Sequence, residues 1–91
     1  MLTFNLKKEW FKKIKSGEKT HEYRLYTDYW ASRLLYRKLP CVCVFACGYP
    51  AKNDRNRRLK AIIKNVSAIE NGINTDLKTN EAVLDIEFEL I

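Results

Sequence analysis

The sequence predicts an α+β fold: a small curved β-sheet or barrel of about five strands, with two helices across its ends. Two segments, residues 7–17 and 27–35, repeat apolar residues at helical spacing. Short apolar segments typical of strands precede, separate and follow them. The chain has 91 residues, which suits a single domain with one core over residues 1–91.

The first strand and first helix are predicted from residues 2–17. LTFNL, residues 2–6, alternates apolar and polar residues, as a half-buried strand does. KKEWFKKIKSG follows and places Trp10, Phe11 and Ile14 on one helical face, with lysines on the other. Gly17 provides the left-handed residue that commonly ends a helix.

A second strand and second helix are predicted from residues 20–35. THEYRLY, residues 20–26, alternates so that Glu22 and Arg24 are neighbours on one face and His21 lies on the other. TDYWASRLL begins with Thr27 as a plausible N-cap. Trp30 is expected in the core, because it lies one turn before the apolar Leu34.

The second half of the chain contains three predicted strands. CVCVFAC, residues 41–47, is a central strand ended by GYP, and AKNDRNRRLK is a basic loop or hairpin connection. KAIIKNVSAIE favours a strand but alternates poorly, so a helix remains an alternative. NGINTDLKTNEA is a loop that has room for a helical turn. VLDIEFELI alternates well and predicts a closing strand with one dry face and one acidic face.

The net charge of +6 is unevenly distributed along the chain. Residues 1–64 contain 16 Lys or Arg and 5 Asp or Glu, a balance of +11; residues 65–91 contain 1 Lys and 6 acids, a balance of −5. A basic body with an acidic end favours a polyanionic partner such as nucleic acid. No segment has the length of a membrane span or a secretory signal, so we expect a cytoplasmic protein.

The three cysteines lie in one predicted strand. Their spacing, Cys41, Cys43 and Cys47, lacks the paired knuckles and the histidines of a zinc site. They are interpreted as small apolar residues in a reducing compartment. No metal and no cofactor is expected.

The residues in NLKKEWFKKIKSGEKTHEYR, followed by T-x-Y-W-x-x-R-L and then GYP, resemble an ASCH domain. The likeness covers Leu2 to Pro50 and is greatest to short single-domain members from bacteria and phages. It implies a PUA-like β-barrel that binds RNA or nucleotides in a cleft beside the barrel. Some members hydrolyse the amide of N4-acetylcytidine, and ribonuclease activity is ascribed to another group.

The motif G-x-K-T-x-E-x-R carries the resemblance onto particular residues. Lys19 and Arg24 match the lysine and arginine of the family motif. In the hydrolytic members a threonine stands at the position of Glu22, and a distant glutamate completes the site. The resemblance implies that Glu70 or Glu81 takes the place of that glutamate here.

The residue types suggest a role for each candidate. Lys19 binds phosphate or, with a lowered pKa, acts as base or nucleophile together with Glu22. Glu22 and Arg24 are expected to form a pair that binds a base or a phosphate. The remaining candidates are ring, strand-end and basic-loop residues: Tyr29, Arg33, Gly48, Tyr49, Lys52, Arg55, Arg57, Arg58 and Lys60.

Three functions follow from these observations. The first is an RNA- or nucleotide-binding domain with a basic cleft around the motif. The second is a hydrolase acting on a modified nucleoside or on single-stranded RNA. The third is a phage-type interaction module that modulates a nucleic-acid enzyme of the host. The sequence determines neither the base preference nor the oligomeric state.

Overall fold

A computed structural model of the protein describes residues 1–91 and contains five strands and two α-helices. The strands form one sheet that curls into a half-barrel, which confirms the predicted α+β small-barrel fold. A short 3₁₀ turn, Arg55–Arg57, precedes the fourth strand. In chain order the elements are β1 (Leu2–Leu6), α1 (Lys8–Lys15), β2 (His21–Leu25), α2 (Asp28–Leu34), β3 (Cys41–Cys47), β4 (Arg58–Ile69) and β5 (Val83–Leu90).

The sheet has the order β1-β3-β4-β5-β2, so β1 and β2 are its two edges. β1 and β3 are parallel, and every other neighbouring pair is antiparallel. The curl brings the two edges within reach of one side chain, because the Arg24 Nη2 atom on β2 donates to the Asn5 carbonyl on β1 at 3.2 Å. We call this gap between β1 and β2 the seam.

The core is one cluster of 13 buried residues on the concave side of the sheet. Phe4, Phe45 and Phe88 form its centre, with ring centroids 5.5 Å apart for the first pair and 4.5 Å for the second. Leu2 and Leu6 are buried beside Phe4, which confirms the predicted inner face of β1. Burial of this apolar surface is the main source of stability in a domain of this size.

The predicted start of α2 and the predicted stop of α1 are confirmed. The backbone N–H of Trp30 donates to the Thr27 hydroxyl at 3.2 Å, so Thr27 is the N-cap of α2. Gly17 has a φ of +84° directly after α1, where a side chain would be strained. On α1, Phe11 and Ile14 are buried and Trp10 is half-buried.

A β-bulge explains the poor alternation of the fourth strand. The pairing of β4 with β5 shifts between Ile63 and Asn65, so one extra residue enters β4 at this point. Ile63 is fully buried, and Val66, three residues later, packs against the same core. The segment is therefore a strand, and the helical alternative is wrong.

The closing strand has the predicted dry and acidic faces, with one exception. Leu84, Ile86 and Phe88 are buried, but Val83, which alternation places on the acidic face, is also fully buried. The loop of residues 70–82 covers it, and a Cβ at Gly72 would lie only 2.5 Å from the Val83 Cγ1 atom. This loop contains turns and no helix.

The three cysteines are free thiols. Cys43 is fully buried in the core, and burial, with a smaller contribution from Cys41, raises its pKa to about 12. This burial agrees with the interpretation of Cys43 as a small core residue, whereas Cys41 and Cys47 are half-buried and pack against the core. Neither α-helix of the structure has the length and apolar character that crossing a membrane requires.

Candidate functional site

A pocket with a volume of about 620 Å³ opens at the seam between the two helices. The end of β1, the start of α1, the strand β2, the start of α2 and the loop of residues 70–82 all contribute to its lining. Four of the lining residues are aromatic: Trp10, Tyr23, Tyr29 and Trp30. The volume and the largely apolar wall with a few polar groups are typical of small-molecule sites.

Glu22 and Arg24 meet on the floor of this pocket. The Arg24 Nε and Nη2 atoms donate to the same oxygen of Glu22, Oε2, at 3.1 and 2.8 Å. The Arg24 guanidinium also lies 5.2 Å from the Phe4 ring centroid and 5.1 Å from that of Trp30. Together with its bond to the Asn5 carbonyl, these contacts hold the guanidinium in one orientation.

A third charged residue, Lys19, pairs with the other oxygen of Glu22. Its Nζ atom lies 3.4 Å from the Glu22 Oε1 atom, and it contacts the Asp76 Oδ2 atom directly. The side chains of Lys19 and Glu22 are each only 8% exposed, whereas that of Asp76 is 34% exposed. The four charges of Lys19, Glu22, Arg24 and Asp76, which we call the ion-pair cluster, sum to zero.

Asp76 reaches this cluster because the loop that carries it is anchored. The Gly72 backbone N–H donates to the Glu81 carbonyl at 3.0 Å and closes the loop. The Thr75 hydroxyl, which is buried, donates to the Gly72 carbonyl at 2.7 Å and accepts from the Leu77 N–H at 3.3 Å. Asp76 lies between Thr75 and Leu77, so these bonds direct it at the seam.

The rings of Trp10 and Tyr23 enclose the Lys19 ammonium. Their centroids lie 5.5 and 5.0 Å from the Lys19 Nζ atom. Burial raises the pKa of the Tyr23 phenol, and the nearby carboxylates of Asp85 and Asp76 raise it further. Lys19 itself lines an adjoining depression of about 300 Å³, which shares Trp10, Tyr23 and Asp76 with the main pocket.

Tyr29 lies at the pocket, and Arg33 lies beside Tyr29. The Tyr29 ring is 56% exposed and meets Trp30 edge-on, with centroids 5.0 Å apart. The Arg33 guanidinium carbon is 3.5 Å from the Tyr29 ring centroid, and its Nη1 atom donates to the Tyr29 carbonyl at 2.9 Å. Arg33 therefore supports Tyr29 and does not itself line the pocket.

Gly48 and Tyr49 follow β3 outside the pocket. Gly48 has a φ of +69°, and its N–H donates at 2.8 Å to the carbonyl of Leu6, which does line the pocket. Tyr49 is almost fully exposed. The strand end is thus adjacent to the pocket through backbone contact alone.

The basic residues of the segment 52–60, which we call the basic loop, also lie outside the pocket. Arg58 is half-buried and donates to the Pro50 and Ala51 carbonyls at 2.9 and 3.4 Å. Arg57 pairs loosely with Asp54 at 3.6 Å. The other three cations are exposed and form no ion pair: Lys52, Arg55 and Lys60.

The structure brings together the motif residues but adds three that the motif does not indicate. Asp76, Trp10 and Tyr23 all contact Lys19, whereas neither Glu70 nor Glu81 does. Residues 71–82 show no periodicity, so nothing in the sequence distinguishes Asp76 from the other acids.

His21 lies on the other side of β2 from Glu22, as predicted. Its Nδ1 atom is 2.7 Å from the Asp85 Oδ1 atom on β5. It does not line the main pocket. No three His, Cys, Asp or Glu side chains are grouped as a metal site would require.

Comparison with solved structures finds the fold in another protein. The crystal structure of hypothetical protein PH0355 is similar with a TM-score of 0.64 and 19% sequence identity, over 99% of this chain and 98% of that chain. At this identity the likeness concerns the fold alone. No protein-family model and no curated protein matches the sequence.

Proposed function

We propose that the protein binds RNA or a nucleotide by accepting a base in the seam pocket. The observation that carries this proposal is the composition of the pocket: aromatic walls above a buried ion-pair cluster with no net charge. An aromatic wall stacks on any planar base, and a neutral floor accepts an uncharged ring better than a phosphate. The resemblance to the ASCH family agrees with this proposal.

Within this proposal the two carboxylates have different roles. Both oxygens of Glu22 already face cations, so Glu22 holds Lys19 and Arg24 in place. Asp76 is more exposed, and its second oxygen, Oδ1, forms no hydrogen bond within the protein. Asp76 is therefore the acceptor for an amino or imino group on the edge of the base.

The phosphates of a bound strand would lie outside the pocket. Lys7, at its rim, is exposed, and the basic loop provides further unpaired cations. Each phosphate contact on a single strand lowers the affinity by about 0.7 log units per tenfold increase in salt. Binding of an oligonucleotide should therefore depend on salt far more strongly than binding of a nucleoside.

Tryptophan fluorescence provides a direct test, because both tryptophans of the chain line the pocket. Cytidine, adenosine, guanosine and uridine monophosphates and short RNAs should quench it saturably. Tyr29→Ala should weaken binding by about 10- to 100-fold, the usual contribution of one stacked base. Tyr36→Ala is the matched control, since Tyr36 is 87% exposed and outside the pocket, and it should bind as the wild type does.

A result with no quenching by any nucleotide or RNA would overturn the proposal. So would a Tyr29→Ala variant that binds as tightly as the wild type. In that case the interaction-module function predicted from the charge distribution becomes the better hypothesis.

A second candidate, hydrolysis of a modified nucleoside, is favoured by one observation: the contact between Lys19 and Asp76 at the edge of the pocket. For an N4-acetylcytidine-type amide, the Asp76 carboxylate would take a proton from water as the water oxygen attacks the carbonyl carbon. The Lys19 ammonium would stabilise the oxyanion. The C–N bond would break as the amine nitrogen takes the proton that Asp76 accepted from the water, which leaves cytidine and acetate. In this proposal Asp76 takes the catalytic role that the family resemblance implies for Glu70 or Glu81.

Release of acetate from N4-acetylcytidine tests this candidate. Lys19→Met and Asp76→Asn should each abolish the release, while Lys15→Met, a change of the same kind at an exposed lysine of α1 outside both depressions, should leave it unchanged. Failure of the wild type to release acetate, in a preparation that quenches with cytidine, would leave binding as the sole function of the pocket.

A further inference from the structure

The fourth strand extends beyond its neighbour on one side. β3 begins at Cys41, which pairs with Ile63, whereas β4 continues past this point to Ile69 and pairs with β5 along this length. Pro40 precedes Cys41 and has no N–H, so β3 cannot extend the ladder as a donor. Residues 65–69 of β4, which we call the overhang, therefore have a strand neighbour on one side only.

The open side of the overhang makes no backbone hydrogen bond to a turn, loop or cap, since none of those bonds involves residues 65–69. Asn65, Ser67 and Ala68 are exposed, and Val66 and Ile69 are half-buried. The segment contains no charged residue and no proline, which are the usual means of protecting a free strand edge from pairing.

The charges that flank the overhang are self-complementary. An antiparallel pairing of two copies about Ser67 places Lys64 of each copy opposite Glu70 of the other, because both residues lie three positions from Ser67. Both side chains are exposed. Lys64 has only a distant partner in its own chain, Glu89 at 3.9 Å, and Glu70 has none.

We infer that the overhang pairs with the same segment of a second copy of this chain, which forms a symmetric dimer. The two sheets join antiparallel at β4, and the Lys64–Glu70 pair occurs twice, once on each side of the two-fold axis. None of residues 64–70 lines the seam pocket, so the dimer keeps both pockets open. This inference does not depend on the proposed ligand.

The dimer is expected to be weak, since five residues per strand bury less than a standard interface. We expect a dissociation constant between about 10 µM and 1 mM. Sedimentation equilibrium from low micromolar to millimolar protein measures this dissociation constant. Salt at about 0.15 M screens the general repulsion between two basic chains.

Charge reversal tests the register directly. Lys64→Glu places two glutamates opposite each other at both contacts, and Glu70→Lys places two lysines there. Each variant alone should dimerise at least about tenfold more weakly than the wild type. An equimolar mixture of the two variants places opposite charges at both contacts again, and should associate as strongly as the wild type. Lys12→Glu, on the exposed face of α1, is the matched control and should leave association unchanged.

Two outcomes would overturn the inference. One is a wild-type protein that stays monomeric at millimolar concentration. The other is a mixture of Lys64→Glu and Glu70→Lys that associates no better than either variant alone, since that result assigns any dimer to a different face. Circular dichroism of each variant establishes that it is folded before sedimentation.

Discussion

The ion-pair cluster and the basic loop use the same residue types in opposite ways. In the cluster, Lys19 and Arg24 are largely buried, paired with carboxylates and enclosed by rings. In the basic loop, Lys52 and Arg55 are exposed and unpaired. The cluster has no net charge, whereas the loop carries most of its charge into solvent.

This difference shows that a count of cations along the sequence does not predict where the pocket lies. The basic loop holds five of the 17 Lys and Arg residues of the chain, yet none of them lines the pocket. Buried charges are retained only where partners compensate the loss of hydration, so they act as a rigid unit. Exposed charges act individually, and their effect falls with salt.

Glu22→Gln should have the largest effect, because it leaves two buried cations without their shared carboxylate. We expect a loss of about 3 kcal/mol in the free energy of unfolding, the lower end for breaking a buried ion pair. Urea denaturation at neutral pH measures it. Glu18→Gln, an exposed residue with a loose partner at 3.7 Å, is the control and should cost less than about 0.5 kcal/mol. Equal losses for the two variants would contradict a compensated buried cluster.

Arg24→Lys should cost less, about 2 kcal/mol, because it keeps the positive charge but loses the planar guanidinium. The lysine cannot reach Glu22 and the Asn5 carbonyl together, and it loses the flat contacts with Phe4 and Trp30. Urea denaturation gives the stability, and quenching by a nucleotide gives the pocket geometry. A variant with wild-type stability and binding would show that charge alone suffices at this position.

Within the basic loop, Arg58→Ala tests a contribution to stability, and Arg57→Ala tests a contribution of charge to RNA binding. Arg58 is bonded to the Pro50 and Ala51 carbonyls, so its loss should cost about 1 kcal/mol. Arg57 is exposed, so its loss should cost almost nothing. If Arg57 contacts a phosphate, Arg57→Ala should reduce the salt slope of RNA binding by about 0.7. Arg57→Ala with the larger stability loss would reverse this assignment.

The smallest expected effect concerns the ionisation of Tyr23. Its raised pKa means that the folded protein holds the phenol proton above pH 10, where an unfolded tyrosine has begun to lose it. This contribution to stability is therefore complete below about pH 10 and is lost as the pH rises further. Asp76→Asn removes one cause and should lower the pKa, which NMR of labelled tyrosine measures. An unchanged Tyr23 pKa would show that Asp76 does not act on the phenol.

Much of the fold could be predicted from local pattern. Alternation in LTFNL and VLDIEFELI, the helical spacing of Trp10 and Ile14, the Thr27 cap and the Gly17 stop all correspond to observed features. These signals depend on neighbours within one turn or one strand, and such neighbours are visible in the sequence. The poor alternation in β4 also has a local cause, the bulge at Lys64. The sequence alone did not distinguish this bulged strand from a helix.

The sequence by itself determined the strands, the helices and the neighbouring positions of Glu22 and Arg24, because each depends on short-range periodicity. Tertiary structure alone decided that Asp76, 57 residues from Lys19, completes the ion-pair cluster. It also decided that Trp10 and Tyr23 enclose the Lys19 ammonium and that β4 extends beyond β3. Those features arise from the curl of the sheet and from a loop anchored at Gly72 and Thr75. No local pattern encodes which residues a closing barrel brings together, since that depends on packing between distant segments.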